Sequence, residues 1–336
     1  MKILNKIDLH LHIDGSARPE TVYELSRKYQ IEPECHKTLE EIRNSMMIPD
    51  GEYDPDFLTF EAPIRAMQNE EGLYRITKEL VETLDEQGLV YAELRFAPQY
   101  HTQKGLTQKQ VVEAAVHGLN DGLKNAKQLK AQLILCAMNH CDPNQNHKEN
   151  LETVHLVKEY LSKGVCALDL AGYEERMPEY KDLFVLAHEL DIPCTTHSEF
   201  TVKDALPYNT TRIGHGYQAA LIEELTDAVI SKGVTLEMCP DSSLSYEYGL
   251  TGDETHPLSV LYRKGAKVTI NTDNMTVLDT TLEKEYELVR RMGLSDEDII
   301  RMNNYAIEAS FLSEDEKAKL LQIHLIDTKE VPTYND

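Results

Sequence analysis

Four segments of the chain carry imidazole or carboxylate groups at spacings that suit a metal site. KIDLHLHI (6–13) holds His10 and His12, IPCTTHSE (192–199) ends in His197 and Glu199, TRIGHG (211–216) holds His215, and KVTINTD (267–273) ends in Asp273. On a strand, residues i and i+2 point the same way, so His10 and His12 face one side together. Two imidazoles so placed can share one zinc ion at about 2.0–2.1 Å. Taken singly, HxH is compatible with a structural role, His197 or His215 with a satisfied core histidine, and Asp273 in NTDN with a turn. Their recurrence at the ends of four apolar runs favours a metal over coincidence. Three neutral imidazoles and one carboxylate favour zinc, with iron or cobalt as substitutes. Structural zinc is usually closed and cysteine-rich. No cysteine stands at these ends in a pairable pattern, so an open position that holds water is expected. Zinc brings the pKa of such a water to about 7 and so supplies hydroxide at neutral pH.

Positioning these groups requires a scaffold that brings distant strand ends together. Short β-rich runs alternate with longer stretches of helical period. Besides the four above, the strand candidates are VYAELRFA (90–97), QLILCAMN (132–139), VCALDLA (165–171) and VTLEMCP (234–240). Strands alternating with helices pair in parallel. Eight such units predict an α/β fold, a closed (β/α)8 TIM barrel, whose strand ends rim one mouth. An open doubly wound sheet is the rival, but HIDGSARPE lacks the glycine-rich phosphate turn such a sheet carries. The chain is expected to form a single domain over 1–336, with extra helices between strands one and two (14–89) and after strand eight (279–336). The segment 45–68, rich in Met, Phe and Pro, is expected to lie over the mouth as a lid or a packing helix. VCALDLAG has no lysine to carry a bridging carbamate, which argues for one metal per chain.

The 336 residues include 58 acidic and 34 basic side chains, a formal net charge of −24. Such a surface argues against nucleic acid and anionic membranes as partners, and it points to no protein partner. Cys35, Cys136, Cys141, Cys166, Cys194 and Cys239 form no CxxC pair and read as reduced thiols. The opening residues lack a signal-peptide core, and no run approaches the ~18 apolar residues of a membrane helix. A cytoplasmic location is expected.

The full series of motifs resembles the adenosine deaminase family over nearly the whole chain. KIDLHLHIDGSARPET is similar to the family's opening metal motif, and ELRFAPQ, DLAGYE, RIGHGY, CPDSS and NTDN follow in its order and spacing. The resemblance implies zinc-dependent conversion of adenosine, and of 2′-deoxyadenosine, to inosine and ammonia. His10, His12, His197 and Asp273 would bind zinc, and hydroxide supplied there would attack purine C6. His215 would orient or deprotonate the water, and Glu199 would protonate N1. His12, Asp14, Gly172 and Asn274 would contact the nucleoside: Asp14 at a ribose hydroxyl, the Gly172 backbone at N3 and Asn274 at N7. Asp14 would also repel a 5′-phosphate. Two residues depart from the family pattern. The acid follows the metal histidine by two residues, in His-Ser-Glu, where the family has His-Ala-Gly-Glu. Asn274 stands where the family commonly has a second aspartate. A related adenine or modified-aminopurine deaminase, or a homologue that holds zinc and nucleoside without turnover, remains open on the sequence. The HxE half of a cytidine-type zinc motif is also present, without its PCxxC half.

Overall fold

The computed structural model describes residues 3, 5–49, 52, 54, 56–245 and 250–322. Its eight strands are β1 (Lys6–His12), β2 (Leu89–Phe96), β3 (Lys130–Asn139), β4 (Val165–Gly172), β5 (His197–Ser198), β6 (Arg212–His215), β7 (Thr235–Met238) and β8 (Lys267–Ile270). β1 to β4 form one parallel sheet and β5 to β8 another. Parallel bridges Leu168–Cys194 and Leu11–Asp273 join the sheets at both seams. At the second seam the His12 N–H donates to the Asp273 carbonyl at 2.7 Å, and the Asp273 N–H to that of His10 at 2.9 Å. The result is the expected (β/α)8 barrel.

Strand ends differ from the sequence reading most at β5. The expected strand 192–199 keeps a ladder only at His197–Ser198. Pro193 has no N–H to give a ladder. The chain instead trades two bonds with Leu168, whose N–H donates to the Pro193 carbonyl while its own carbonyl accepts from Thr195. β7 stops at Met238 because Pro240 starts the helix Pro240–Leu244.

Helices fill the connections as their periodicity predicts. Pro19 stands in the first turn of Pro19–Tyr29. Glu70–Glu86 is capped by Asn69 and buries Leu73, Ile76, Leu80 and Leu84 on one face. The tail forms three helices, Leu282–Arg291, Asp296–Ala309 and Glu314–Leu321, and residues 323–336 lie outside the described residues. Ile307, Leu312 and Leu320 join Ile7, Leu9 and Val90 in an apolar cluster. Of the segment 45–68, residues 50, 51, 53 and 55 lie outside the described residues. Its Ile48 N–H donates to the Val277 carbonyl beyond β8, and it continues as the helix Glu61–Ala66.

Candidate active site

β1 supplies His10 and His12, and the two-residue period brings both rings to one point. Nε2 of each lies 3.1 Å from Nε2 of His197. Oδ1 of Asp273 is 3.4 Å from His12 Nε2 and 3.7 Å from His10 Nε2. A tetrahedral zinc with ligands at about 2.0–2.1 Å separates neighbouring ligand atoms by about 3.3 Å, so His197 stands near that spacing from both β1 histidines, and Asp273 near it from the same two rings.

The protons on these rings strengthen the fit. Nδ1 of His10 lies 2.9 Å from Oε2 of Glu237, and Nδ1 of His197 lies 2.9 Å from Oδ2 of Asp169. The second contact is an ion-pair approach rather than a well-aligned hydrogen bond. With Nδ1 protonated toward a carboxylate, Nε2 of each ring carries a bare lone pair. Lone pairs facing at 3.1 Å repel unless a metal ion or a shared proton lies between them. The donor set thus fits a zinc-like ion, with carboxylates behind the ligands to fix ring orientation.

A buried ionic column supports these carboxylates. Arg95 of β2 donates to Asp169 at 3.0 Å and to Glu237 at 2.7 Å. Arg212 of β6 donates to the other oxygen of Glu237 at 2.7 Å and to Glu93 at 2.5 Å. All five side chains are fully buried. Burial opposes the charges on Asp169 and Glu237. His197 and Arg95 outweigh it at Asp169, Arg95 and Arg212 at Glu237, and both carboxyls are held well below the usual range. Burial first, then neighbouring cations, holds His10, His12 and His215 well below the ordinary histidine value, in the neutral form a metal needs. Burial also acts to lower His197, but the charge on Asp169 prevails and raises it.

His215 and Asp273 both adopt left-handed backbone, with φ of 61° and 59°. Ser242 donates to Asp273 Oδ2 at 2.6 Å and fixes the carboxylate. The Tyr217 hydroxyl donates to the Cys239 carbonyl at 3.0 Å and lies 3.1 Å from His215 Nδ1. It therefore accepts from Nδ1–H, which leaves Nε2 of His215 as an acceptor. Ligand atoms of His10, His215 and Asp273 lie within 4.8 Å of one another. Gly214, between the ligand strands, is required by contact: a Cβ there would stand 2.8 Å from His10 Cε1.

Glu199 stands at the rim, 20 % exposed, with Oε1 3.8 Å from His215 Nε2. Two residues beyond His197 is thus close enough to approach the cluster. Asp14 follows β1 and is buried, which pushes its carboxyl up to about 6. Asn274 is buried against Gly15, where a Cβ would stand 1.9 Å from its Oδ1. Gly172 has φ of 112°, and a Cβ there would lie 2.4 Å from the Asn139 carbonyl, so the turn at the end of β4 requires glycine. Its backbone is exposed.

The sequence reading did not single out Arg95, Asp169, Glu237, Tyr217 or Ser242. The available signal was ionisable residues inside apolar strand runs, as in YAELRF and TLEM, where burial forces a charged group to find a partner.

A sequence profile described as Adenosine deaminase matches residues 5–328. An adenosine deaminase of Haemophilus ducreyi is 37 % identical over 330 residues, 94 % of each chain. Among solved structures, an adenine deaminase from Arthrobacter aurescens superposes with a TM-score of 0.83 at 21 % identity, covering 97 % of this chain and 100 % of that one. A Burkholderia ambifaria amidohydrolase described with bound Zn gives 0.84 at 22 %, covering 97 % and 92 %. The structural likenesses establish the barrel fold, and the sequence matches go further: the chain belongs to the adenosine deaminase family, hydrolases of the carbon–nitrogen bond in cyclic amidines.

Proposed function

We propose that the protein hydrolyses adenosine, and 2′-deoxyadenosine, to the corresponding inosine nucleoside and ammonia. The observation that carries this reading is the approach of His197 and of Asp273 to the paired rings of His10 and His12, with Glu199 beside His215. Zinc bound by those four side chains would act as a Lewis acid that activates a water molecule. The Zn described in the Burkholderia ambifaria relative accords with that choice of metal.

The chain's own residues then move the protons. Nε2 of His215 accepts one proton from the attacking water, since its Nδ1–H is committed to Tyr217. Glu199 donates its proton to N1, which makes C6 electrophilic. The water oxygen adds to C6, and the amino group takes the proton held by His215 and leaves as ammonia. The second water proton returns to Glu199, and the product keeps its proton on N1. Asp14 accepts from a ribose hydroxyl, the Gly172 backbone admits the purine edge, and Asn274 donates an amide hydrogen to N7. The buried carboxyl of Asp14 disfavours a 5′-phosphate, so a nucleoside is preferred to a nucleotide.

The test is the ultraviolet change of adenosine on conversion to inosine, measured with ammonia release on zinc-replete protein. Equal yields of inosine and ammonia are expected. No turnover of adenosine or 2′-deoxyadenosine by protein carrying one zinc per chain would overturn the reading.

A further inference from the structure

The β5 ladder ends at Ser198, so no strand holds the peptide that carries Glu199. A carboxylate from another loop holds it instead. Oε1 of Glu174 accepts from the Glu199 N–H at 2.6 Å. Oε2 accepts from the Phe200 N–H at 3.3 Å and from the Thr201 hydroxyl at 2.7 Å. Thr201 Oγ1 also lies 3.0 Å from Ser198 Oγ. One side chain therefore gathers three donors from three consecutive residues. On the opposite side, the Glu199 carbonyl accepts from the Gln218 N–H and the Ser198 carbonyl from the Gly216 N–H, each at 2.9 Å. The backbone of Glu199 is clamped at both its N–H and its carbonyl.

Glu174 is itself well placed to act as an anchor. It lies two residues beyond Gly172, whose left-handed turn is fixed by the approach of the Asn139 carbonyl. Tyr173 N–H donates to that same carbonyl at 3.0 Å. The short helical stretch Glu174–Tyr180 follows, and its Met177 carbonyl accepts from the buried Tyr208 hydroxyl. The anchor follows β4, which pairs along its length with β3, and the anchored group follows β5, whose ladder is two residues long.

We propose that Glu174 is a positioning residue for the reaction: its carboxylate sets where the Glu199 carboxyl stands beside His215. The proposal rests on Glu199 being the proton donor. Charge-assisted bonds to backbone N–H groups are strong and directional. Displacing a catalytic group by about 1 Å costs on the order of 100-fold in rate. Loss of the clamp should therefore lower turnover through Glu199, without removing a group that touches substrate.

The experiment is a double-mutant cycle on the full-length zinc protein, with Glu174→Gln, Glu199→Gln and the double variant. Each is measured for kcat, KM, zinc content and melting temperature. Glu174→Gln should lower kcat by about 10–100-fold, with zinc retained and KM little changed. In the Glu199→Gln background the same change should cost almost nothing, because the group it positions has gone. Equal losses in both backgrounds, or parental kcat in Glu174→Gln when Glu199→Gln is inactive, would overturn the proposal and leave the acid assignment standing. Near-parental activity in Glu199→Gln would instead overturn the acid assignment, and the proposal with it. Should Glu174→Gln fold poorly, Thr201→Val removes one donor and leaves the carboxylate in place. It should give a smaller loss with the same dependence on Glu199, and an unchanged kcat there counts against the clamp.

Discussion

β1 to β4 run for seven to ten residues each, whereas β5 to β8 run for two to four. Both halves supply the candidate site, by different physical means. In the long half, His10, His12, Arg95 and Asp169 sit within strands, and the two-residue period aims the side chains. In the short half, the chain leaves its ladder at or near each functional residue. His215 and Asp273 occupy left-handed backbone, which costs a non-glycine residue about 1–3 kcal/mol. Side chains then do what the ladder does elsewhere: Ser242 holds Asp273, Tyr217 holds His215, and Glu174 holds the Glu199 peptide. Regular strands place groups at fixed spacing. Broken strands place them at angles that regular spacing does not offer, provided a neighbour holds the break.

If that contrast is right, the heaviest penalties fall where the halves are tied together. Arg95 belongs to the long half, yet it binds Asp169 of β4 and Glu237 of β7 at once. Removing one partner of a buried ion pair typically costs about 3–5 kcal/mol, because the remaining charge stays buried. Arg95→Met should show a loss of that order in denaturant unfolding. A loss under about 1 kcal/mol, within the range of an exposed pair, would mean that the column does not join the halves. Asp169→Asn is the next test. Asp169 orients His197 from across the seam, and losing such an outer partner costs about 10–100-fold in metal affinity or activity. Competition with a chelator should show zinc held more weakly by that factor while the fold is retained. Unchanged zinc affinity would mean that the two-residue β5 orients His197 by itself.

The same contrast explains what the sequence could convey. His10 and His12 were legible because a two-residue spacing inside a regular strand has one meaning. Asp273, His197 and His215 were legible as polar residues closing apolar runs, and their separate roles are those the resemblance implies. The length of β5 was not legible, since IPCTTHSE has strand composition and the bonds at Leu168 depend on the neighbouring strand. Arg95, Asp169 and Glu237 were visible as letters, but their pairing joins residues up to 142 positions apart. Glu174 lay beyond reach for the same reason. His101 shows the opposite hazard. It follows β2 as a buried histidine near a strand end, yet neither ring nitrogen has a hydrogen-bond partner among the described residues. Burial alone pushes it down to about 3. Sequence position does not separate such a histidine from His215; the partners do.

The gentlest test of the contrast is Tyr217→Phe. The hydroxyl accepts from His215 Nδ1–H and passes its own hydrogen to the Cys239 carbonyl. Phenylalanine keeps the buried ring and removes this relay. The Nδ1–H then has no acceptor in that direction, and the proton is freer to move to Nε2, where it would block acceptance from water. A neutral hydrogen bond is worth about 1 kcal/mol net, so kcat should fall roughly 5-fold with zinc content and KM unchanged. A loss of zinc instead would assign Tyr217 to the metal cage. An unaltered kcat would mean that the left-handed turn at His215 aims the ring without its neighbour, and that the short half needs less support than its broken ladders imply.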